Sequence, residues 1–258
     1  MNLTTIIPMT IWATTTSTNI SMKATEQDPI GQAILDYHKT KKPFDIVVSS
    51  DLCDDDIIPI EVLFRTYKDM PELEKLAIKL CKGQVLDAGA GAGVHANELI
   101  KRGHTVFAID SSEGAVEYMK GQGISAKQID FESYNPPAKF DTILLLMNGI
   151  GIAKKKSNLL SFLKNAGEKL NKGGQIICDS SDVKYLYEDE DGSYWMDLNA
   201  EYYGNFKFQM HYKKISGPEF PWLYVDYDTL HDIASQAGFK CQRVFDLDAH
   251  FLAQLTKI

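Results

Sequence analysis

The stretch VLDAGAGAG, residues 85–93, constrains the fold of this chain more than any other segment. An apolar run that is typical of a buried strand ends at Leu86, and a helical pattern begins near Val94. Between them, three glycines alternate with alanine: Gly89, Gly91 and Gly93. A strand, a glycine turn and a helix form the start of a βαβ nucleotide-binding unit. Glycines allow a ligand to approach the backbone closely, and the helix amino terminus offers free N–H groups to it.

The spacing of the glycines separates two kinds of nucleotide site. The dinucleotide fingerprint G-x-G-x-x-G, counted from Gly89, requires a third glycine where Val94 stands. An acid, Asp87, precedes the first glycine. Its carboxylate would repel a pyrophosphate, whereas it suits a ligand ammonium or the N–H groups of the loop itself. The loop therefore predicts a nucleoside that carries an amino acid in preference to a dinucleotide.

A second acid follows about twenty residues later. The apolar run TVFAID ends in Asp110, and an acid at the end of the second strand accepts hydrogen bonds from ribose hydroxyls. VLDAGAGAG followed by VFAIDSS resembles the class I S-adenosylmethionine-dependent methyltransferases. The resemblance is close over residues 82–172 and extends to the rest of the chain only as topology.

This resemblance implies S-adenosylmethionine as the cofactor and assigns roles to several residues. The segment 89–93 would line the methionine part of the cofactor, and Asp110 would bind its ribose. Asp130 would bind the adenine amino group, while Phe131 would pack on the adenine ring. The full set of expected cofactor-binding residues is Asp87, Gly89, Ala90, Gly91, Gly93, Asp110, Ser111, Asp130, Phe131, Met147 and Asn148.

The most apolar run, FDTILLLM at residues 140–147, predicts a central strand that is buried on both faces. It ends at Asn148, and ligands of open α/β sheets lie at the carboxyl ends of the strands. Asn148 is therefore expected near the reactive methyl group. Methyltransferases of nucleic-acid base amines often carry N/D-P-P-Y/F at this place. The sequence NGIG lacks both prolines and the aromatic residue, which argues against that class.

Aromatic residues are concentrated in the segment 185–227, which holds eight of the twelve tyrosines. In residues 206–212, apolar and polar side chains alternate as in a strand with one buried face, and residues 220–225 form its expected partner. The aromatic residues either pack this inserted hairpin onto the domain or form a substrate lid, since aromatic faces suit cations. The expected substrate-binding residues are Arg65, Tyr212 and Trp222. Weak catalytic candidates are Asn148, Asp182, His211 and Tyr212.

The expected fold is α/β: a doubly wound, seven-stranded, Rossmann-like methyltransferase sheet with a helical amino-terminal cap and a β-hairpin insertion. The resemblance implies the strand order 3-2-1-4-5-7-6, with strand seven antiparallel. The expected organisation is a disordered arm at 1–22 followed by one methyltransferase domain at 23–258. Within this domain we expect a helical cap at 23–81, a cofactor-binding core at 82–182, an inserted hairpin or lid at 183–227, and a final helix with antiparallel strands at 228–258. Met22 is an alternative start of the chain.

Composition excludes several partners. The 258 residues include 44% hydrophobic residues and carry a formal net charge of −8, which gives no overall attraction for nucleic acid or anionic membranes. The four cysteines and six histidines show no spacing typical of a metal site or a disulfide framework. A cytoplasmic protein without a metal, a membrane partner or a nucleic-acid partner is expected, and its oligomeric state stays open.

The expected function is methyl transfer from S-adenosylmethionine to a small-molecule acceptor through a nitrogen, oxygen or sulfur nucleophile. A binding protein that retains the cofactor site without catalysis is an alternative. A nicotinamide-dependent oxidoreductase is less favoured because of Val94.

Overall fold

The computed structural model describes residues 27–50, 52–189 and 201–258. The expected disordered arm at 1–22 lies outside the described residues, as do Tyr194 and Trp195 of the insertion. Among the described residues, no helix is both long and apolar enough to cross a membrane.

A seven-stranded sheet forms the centre of the molecule. Its strands, in chain order, are β3 (Gln84–Ala88), β4 (Thr105–Asp110), β5 (Ala126–Gln128), β6 (Phe140–Leu145), β7 (Leu170–Ser181), β11 (Phe239–Leu247) and β12 (His250–Lys257). They lie side by side in the order β11-β12-β7-β6-β3-β4-β5. The strands from β3 to β7 are parallel, and β12 runs antiparallel to β7 and β11. This arrangement confirms the expected α/β fold class and its strand order.

Helices cover both faces of this sheet. They are α2 (Glu72–Leu80), α3 (Val94–Lys101), α4 (Glu113–Gly121), α5 (Lys156–Lys169) and α6 (Tyr227–Gln236). The second half of β6 is apolar because both of its faces are buried: Leu144 belongs to the apolar cluster under α2, α3 and α4, whereas Ile143 and Leu145 belong to the cluster under α5 and α6. A strand buried on both faces has no solvent side on which polar residues could alternate.

A further helix, α1 (Pro29–Thr40), lies directly against α4. The backbones meet at two glycines, since a Cβ atom on Gly114 would lie 2.7 Å from the backbone of Gly31. Asp28 caps α1 through the Gly31 N–H at 2.9 Å. Its second carboxylate oxygen accepts hydrogen bonds from the Ser112 hydroxyl at 2.8 Å and the Gly114 N–H at 3.1 Å. One buried carboxylate therefore joins the amino termini of both helices.

A second, smaller sheet contains the expected inserted hairpin. Its strands, in chain order, are β1 (Ile46–Ser50), β2 (Asp56–Ile58), β8 (Asn205–Tyr212), β9 (Ile215–Ser216) and β10 (Phe220–Leu223). Strands β8 and β10 pair antiparallel as the alternation of residues predicts. Strand β1 pairs with the other edge of β8, and β2 pairs with β1. The amino-terminal segment that was expected to be a helical cap thus contributes two strands in addition to helices.

Replacement of Asp28 tests the junction of α1 and α4. Asp28→Ala leaves three donor groups without their acceptor, so we expect the free energy of unfolding to fall by about 2 kcal/mol. Urea denaturation measures this change. Asp232→Ala, at an exposed position of α6, is the matched control and should leave the midpoint unchanged. Equal midpoints for both variants would show that the junction contributes no stability.

Candidate functional site

The glycine loop after β3 has the backbone conformation that its sequence indicates. Gly89, Gly91 and Gly93 have φ angles of 71°, 54° and 75°, in the left-handed region that favours glycine. A Cβ atom on Gly91 would meet nothing within 4 Å, so the loop presents open backbone at this point. The N–H groups of Gly89 and Ala90 donate to the Ile109 carbonyl of β4 at 2.9 and 3.2 Å. The loop is therefore fixed to the neighbouring strand.

Asp110, at the end of β4, holds the same loop from the other side. One carboxylate oxygen accepts the Gly91 N–H at 2.8 Å, and the other accepts the Ser112 N–H at 2.8 Å. Burial raises the pKa of Asp110, and the N–H groups of Ser112 and Gly91 oppose this rise. A carboxylate offers about four lone-pair positions, more than the neighbouring backbone N–H groups occupy. Asp110 therefore retains acceptor capacity for a hydroxyl.

Asp87, at the end of β3, is a buried acid with an unused acceptor. Its side chain is 2% exposed, and Oδ2 has no hydrogen-bond partner among the described residues. Burial raises the pKa of Asp87 to about 6, against the opposing influence of His95 and the Ala96 N–H. A buried polar atom without a partner is uncommon in a folded protein. This oxygen is therefore a candidate acceptor for a ligand donor.

Arg65 was expected to contact substrate, and the structure places it in a buried ion-pair network. Its guanidinium donates to Glu74 at 2.6 Å and to the Val62 carbonyl. His95 Nε2 also lies 3.0 Å from the same Glu74 oxygen. Burial raises the pKa of Glu74, but the hydrogen bonds and charges of His95 and Arg65 outweigh burial and hold it below its usual range. Arg65 lines a groove of about 120 Å³ beside Gly93, and its guanidinium is paired with Glu74.

The loop after β6 contains the most unusual backbone of the site. Met147 and Asn148 both have positive φ angles, 64° and 55°, which cost energy in residues that carry a Cβ. Asn148 Oδ1 accepts a hydrogen bond from the Ser181 hydroxyl at 3.0 Å, so the end of β7 holds the strained loop. Trp222 of β10 covers the same loop, because a Cβ on Gly151 would lie 2.2 Å from the indole nitrogen. Asn148 and Trp222 therefore lie at one loop, as the sequence suggested.

The two residues expected to bind the adenine differ in exposure. Asp130 is exposed and lies 3.8 Å from Lys154 Nζ. Phe131 is buried, and its ring packs 4.9 Å from the ring of Phe162 in the core under α5. This position does not support a role for the Phe131 side chain on an adenine face. Ser111 is exposed beside Asp110, and its carbonyl accepts the Gln128 amide at 3.1 Å.

The structure separates the catalytic candidates that the sequence grouped together. Asp182 accepts hydrogen bonds from the Tyr203 hydroxyl at 2.8 Å and the Lys184 N–H at 3.0 Å, next to the carboxyl end of β7. His211 lies within the smaller sheet, where its two ring nitrogens contact the hydroxyls of Ser49 and Ser216, each at 2.9 Å. Its neighbours already use both ring nitrogens, which does not support His211 as a base.

Tyr212 lies on the α1 side of the smaller sheet. Its ring is buried in the cluster formed with α1, and its hydroxyl donates to Asp36 at 3.1 Å. Trp222, on the same face of this sheet, lies at the other end of β8 through its pairing with Phe206. The aromatic face therefore has two parts, and only the part with Trp222 lies against the loop after β6.

Three polar residues near this loop escaped the sequence analysis: Asp179, Tyr224 and His250. Asp179 Oδ1 accepts the Gly149 N–H at 3.2 Å, and its Oδ2 lies 2.9 Å from His250 Nε2. Burial raises the pKa of Tyr224 to about 12, with further contributions that include Asp56 and Asp179. A sequence signal existed for His250, because an antiparallel last strand must begin at the edge where the parallel strands end.

These residues fit a nucleoside that carries an amino acid. The glycine loop presents open backbone, Asp110 has acceptor capacity for hydroxyls, and Asp87 has an unpartnered oxygen for an ammonium group. The neighbouring parallel strands β3 and β4 end at the same edge of the sheet and bring the three features together. Ligand sites of doubly wound sheets occupy this edge.

Known proteins share this architecture. The family model of a methyltransferase domain matches residues 85–174. A solved S-adenosylmethionine-dependent methyltransferase from Bacteroides fragilis, in complex with S-adenosyl-L-homocysteine, is 41% identical to this chain. The alignment covers 92% of this chain and 98% of that protein, with a TM-score of 0.85. No curated protein sequence matches this chain.

More distant structures share the fold alone. An S-adenosylmethionine-dependent methyltransferase from Clostridium acetobutylicum is 15% identical, with a TM-score of 0.55 over 75% of this chain and 92% of that one. A sugar N-methyltransferase from Streptoalloteichus is 12% identical, with a TM-score of 0.53 over 81% of this chain and 97% of that one.

The raised pKa of Asp87 predicts a pH-dependent loss of stability. The folded state keeps this proton to about pH 6, whereas the unfolded state releases it at about pH 4, the ordinary pKa of an aspartate. The protonated Asp87 therefore contributes to the free energy of unfolding at low pH. This contribution, up to about 3 kcal/mol, is lost as the pH rises from about 4 to 6. Asp87→Asn does not titrate, so its stability relative to wild type should increase across this interval. Urea denaturation at pH 4, 5, 6 and 7.5 measures the difference, and a constant difference would contradict the prediction.

Replacement of Asp110 tests its acceptor role. Asp110→Ala removes two acceptor positions for a ligand and the bond to the Gly91 N–H, so affinity for S-adenosyl-L-homocysteine should fall by roughly 1.5–3 kcal/mol or more. Calorimetry measures the affinity. Circular dichroism and urea denaturation establish that the variant is folded. An unchanged affinity in a folded variant would overturn the assignment.

Proposed function

Because this chain belongs to the S-adenosylmethionine-dependent methyltransferases, we propose that it transfers a methyl group to a small-molecule acceptor. The proposal rests on Asp110. Its carboxylate accepts hydrogen bonds from the Gly91 and Ser112 N–H groups and still has lone pairs available to a ligand. The relative from Bacteroides fragilis supports the same cofactor, since it binds S-adenosyl-L-homocysteine.

We propose that the cofactor is held at its two polar ends. Asp110 accepts hydrogen bonds from the ribose hydroxyls, and the open backbone at Gly91 lets the ligand approach without a side chain in between. Asp87 accepts a hydrogen bond from the ammonium of the methionine part through its unpartnered Oδ2. An ammonium at this point stabilises the ionised carboxylate, which burial otherwise disfavours. Ligand binding thus offsets the cost of a buried charge that the free protein carries.

The acceptor side lies between the loop after β6 and the smaller sheet. Trp222 covers Gly151, and the half-buried rings of Phe208 and Phe220 continue this aromatic wall. Bound S-adenosylmethionine supplies an activated methyl group on a sulfonium centre. The protein's contribution is to orient the acceptor and to exclude water, for which an aromatic wall and a rigid loop are suited. Asn148, held by Ser181, forms the floor of this space.

A small molecule is the acceptor that this arrangement favours. Trp222 of the smaller sheet covers the loop that begins at Asn148, which favours an enclosed acceptor over a macromolecular surface. The net charge of −8 also disfavours the polyanionic backbone of nucleic acid. The acceptor atom can be nitrogen, oxygen or sulfur.

Ligand-dependent stability tests the cofactor assignment. S-adenosyl-L-homocysteine at saturation should raise the melting temperature, because a ligand that binds only the native state stabilises it by mass action. NAD and NADP at equal concentration should not, since the loop carries Val94 in place of the third glycine and Asp87 beside it. Stabilisation by NAD alone would support an oxidoreductase.

Transfer itself requires a separate measurement. The protein, incubated with methyl-labelled S-adenosylmethionine and a deproteinised small-molecule extract of Bacteroides fragilis, should yield a labelled product and release S-adenosyl-L-homocysteine. Binding of S-adenosyl-L-homocysteine without any labelled product would favour a non-catalytic binding protein.

A further inference from the structure

His250 and Asp179 form a dyad at the edge of the sheet where the parallel strands end. Asp179 is 1% exposed, whereas the His250 side chain is 42% exposed. His250 Nε2 lies 2.9 Å from Asp179 Oδ2, and the second oxygen of Asp179 accepts the Gly149 N–H at 3.2 Å. A buried carboxylate therefore joins the loop after β6 to an imidazole that reaches solvent.

The geometry fixes which nitrogen of His250 is available. An ionised carboxylate only accepts hydrogen bonds, so Nε2 carries the hydrogen in the bond to Asp179. In the neutral ring, Nδ1 then has a free lone pair. Nδ1 has no hydrogen-bond partner within the described ranges 27–50, 52–189 and 201–258. The ring is thus an oriented proton acceptor, and the adjacent carboxylate stabilises the positive charge that forms on it.

The dyad lies beside the residues assigned to the acceptor side. His250 pairs with Ser181 across β12 and β7, and the Ser181 hydroxyl donates to Asn148. Since Asp179 accepts the Gly149 N–H and Trp222 covers Gly151, the dyad and the aromatic wall contact the same strained loop.

Other histidines near the site lack this combination. His95 is buried and its Nε2 is directed to Glu74, which Arg65 also neutralises. His211 has a hydroxyl partner at each ring nitrogen. His250 combines a buried carboxylate on one nitrogen with exposure of the ring.

We propose that His250 is the general base of this enzyme and that Asp179 is its positioning residue; this rests on the proposed methyl transfer. The acceptor X–H attacks through a lone pair on X, which forms the new C–X bond. The S–CH₃ bond breaks and its electron pair stays on sulfur, which becomes the neutral thioether. The proton of X moves to Nδ1 of His250, so charge and atoms balance without a further reactant.

Kinetics with the labelled cofactor and the Bacteroides fragilis extract test the role of His250. Gln can keep the donor bond to Asp179, so His250→Gln should fold but lower kcat for the labelled product about 100-fold. The KM for S-adenosylmethionine should stay unchanged. Asp179→Asn reverses the polarity of the bond to the ring and should lower kcat roughly tenfold or more. His231→Gln, on α6, is the matched control and should retain wild-type kcat. In His250→Gly, added imidazole should restore part of the rate.

A readout without turnover tests the placement of His250. Diethyl pyrocarbonate acylates unprotonated imidazole nitrogens, and mass spectrometry locates the adduct. His250 should react in the ligand-free protein and be protected by saturating S-adenosyl-L-homocysteine, while the exposed His231 should react equally in both conditions. Calorimetry should show wild-type affinity of His250→Gln for S-adenosyl-L-homocysteine.

The two proposals fail in different ways. A wild-type rate in His250→Gln, or acylation of His250 that S-adenosyl-L-homocysteine does not alter, overturns the dyad and leaves methyl transfer intact. A wild-type protein that forms no labelled product overturns methyl transfer, and the general-base role with it.

Discussion

The hydrogen bonds of the Asp110 carboxylate are the interaction on which the rest of the site depends. One oxygen holds Gly91 in the loop after β3, and the other holds Ser112 at the start of α4. Ser112 in turn caps α4 and binds Asp28, which caps α1. A single acid at the end of β4 therefore connects the glycine loop with two helices. A ligand that uses the remaining lone pairs of Asp110 binds to a group whose position is already fixed.

Two acids at this edge of the sheet, Asp110 and Asp87, differ in how well their carboxylates are supplied with hydrogen-bond donors. Asp110 is well supplied with donors, whereas Asp87 leaves one oxygen without a partner among the described residues. The cost of that oxygen falls on the stability of the free protein and is recovered when a cation is bound. The left-handed conformation of Met147 and Asn148 is a second local cost. Both costs concentrate where the ligand site is proposed, as expected when function opposes stability.

The smaller sheet packs against both α1 and the loop after β6. Strand β8 is shared between β10, which carries Trp222, and β1, which comes from the amino-terminal segment. Through this sharing, residues more than 150 positions apart form one layer over the main sheet. One end of that layer packs on α1 through Tyr212, and the other packs on the loop after β6 through Trp222. The layer is therefore anchored at both ends of its aromatic face.

The sequence by itself determined the elements whose cause is local. Glycines that need positive φ angles, an acid at the end of β4 and the alternation in β8 all have short-range signatures, so the cofactor loop and the β8–β10 hairpin were predictable from the residues. The order of the seven strands followed from the family resemblance that these residues carry. Only the tertiary structure decided which side chains meet across long separations. Strand β1 depends on an edge of β8 that lies 160 residues away, which no local pattern reveals, and β2 in turn depends on β1. Tyr212 and Trp222 share an alternating pattern, yet α1 buries one and the loop after β6 receives the other. The dyad of Asp179 and His250 exists because β12 runs antiparallel beside β7. This pairing brings into contact two residues that are 71 positions apart in the sequence.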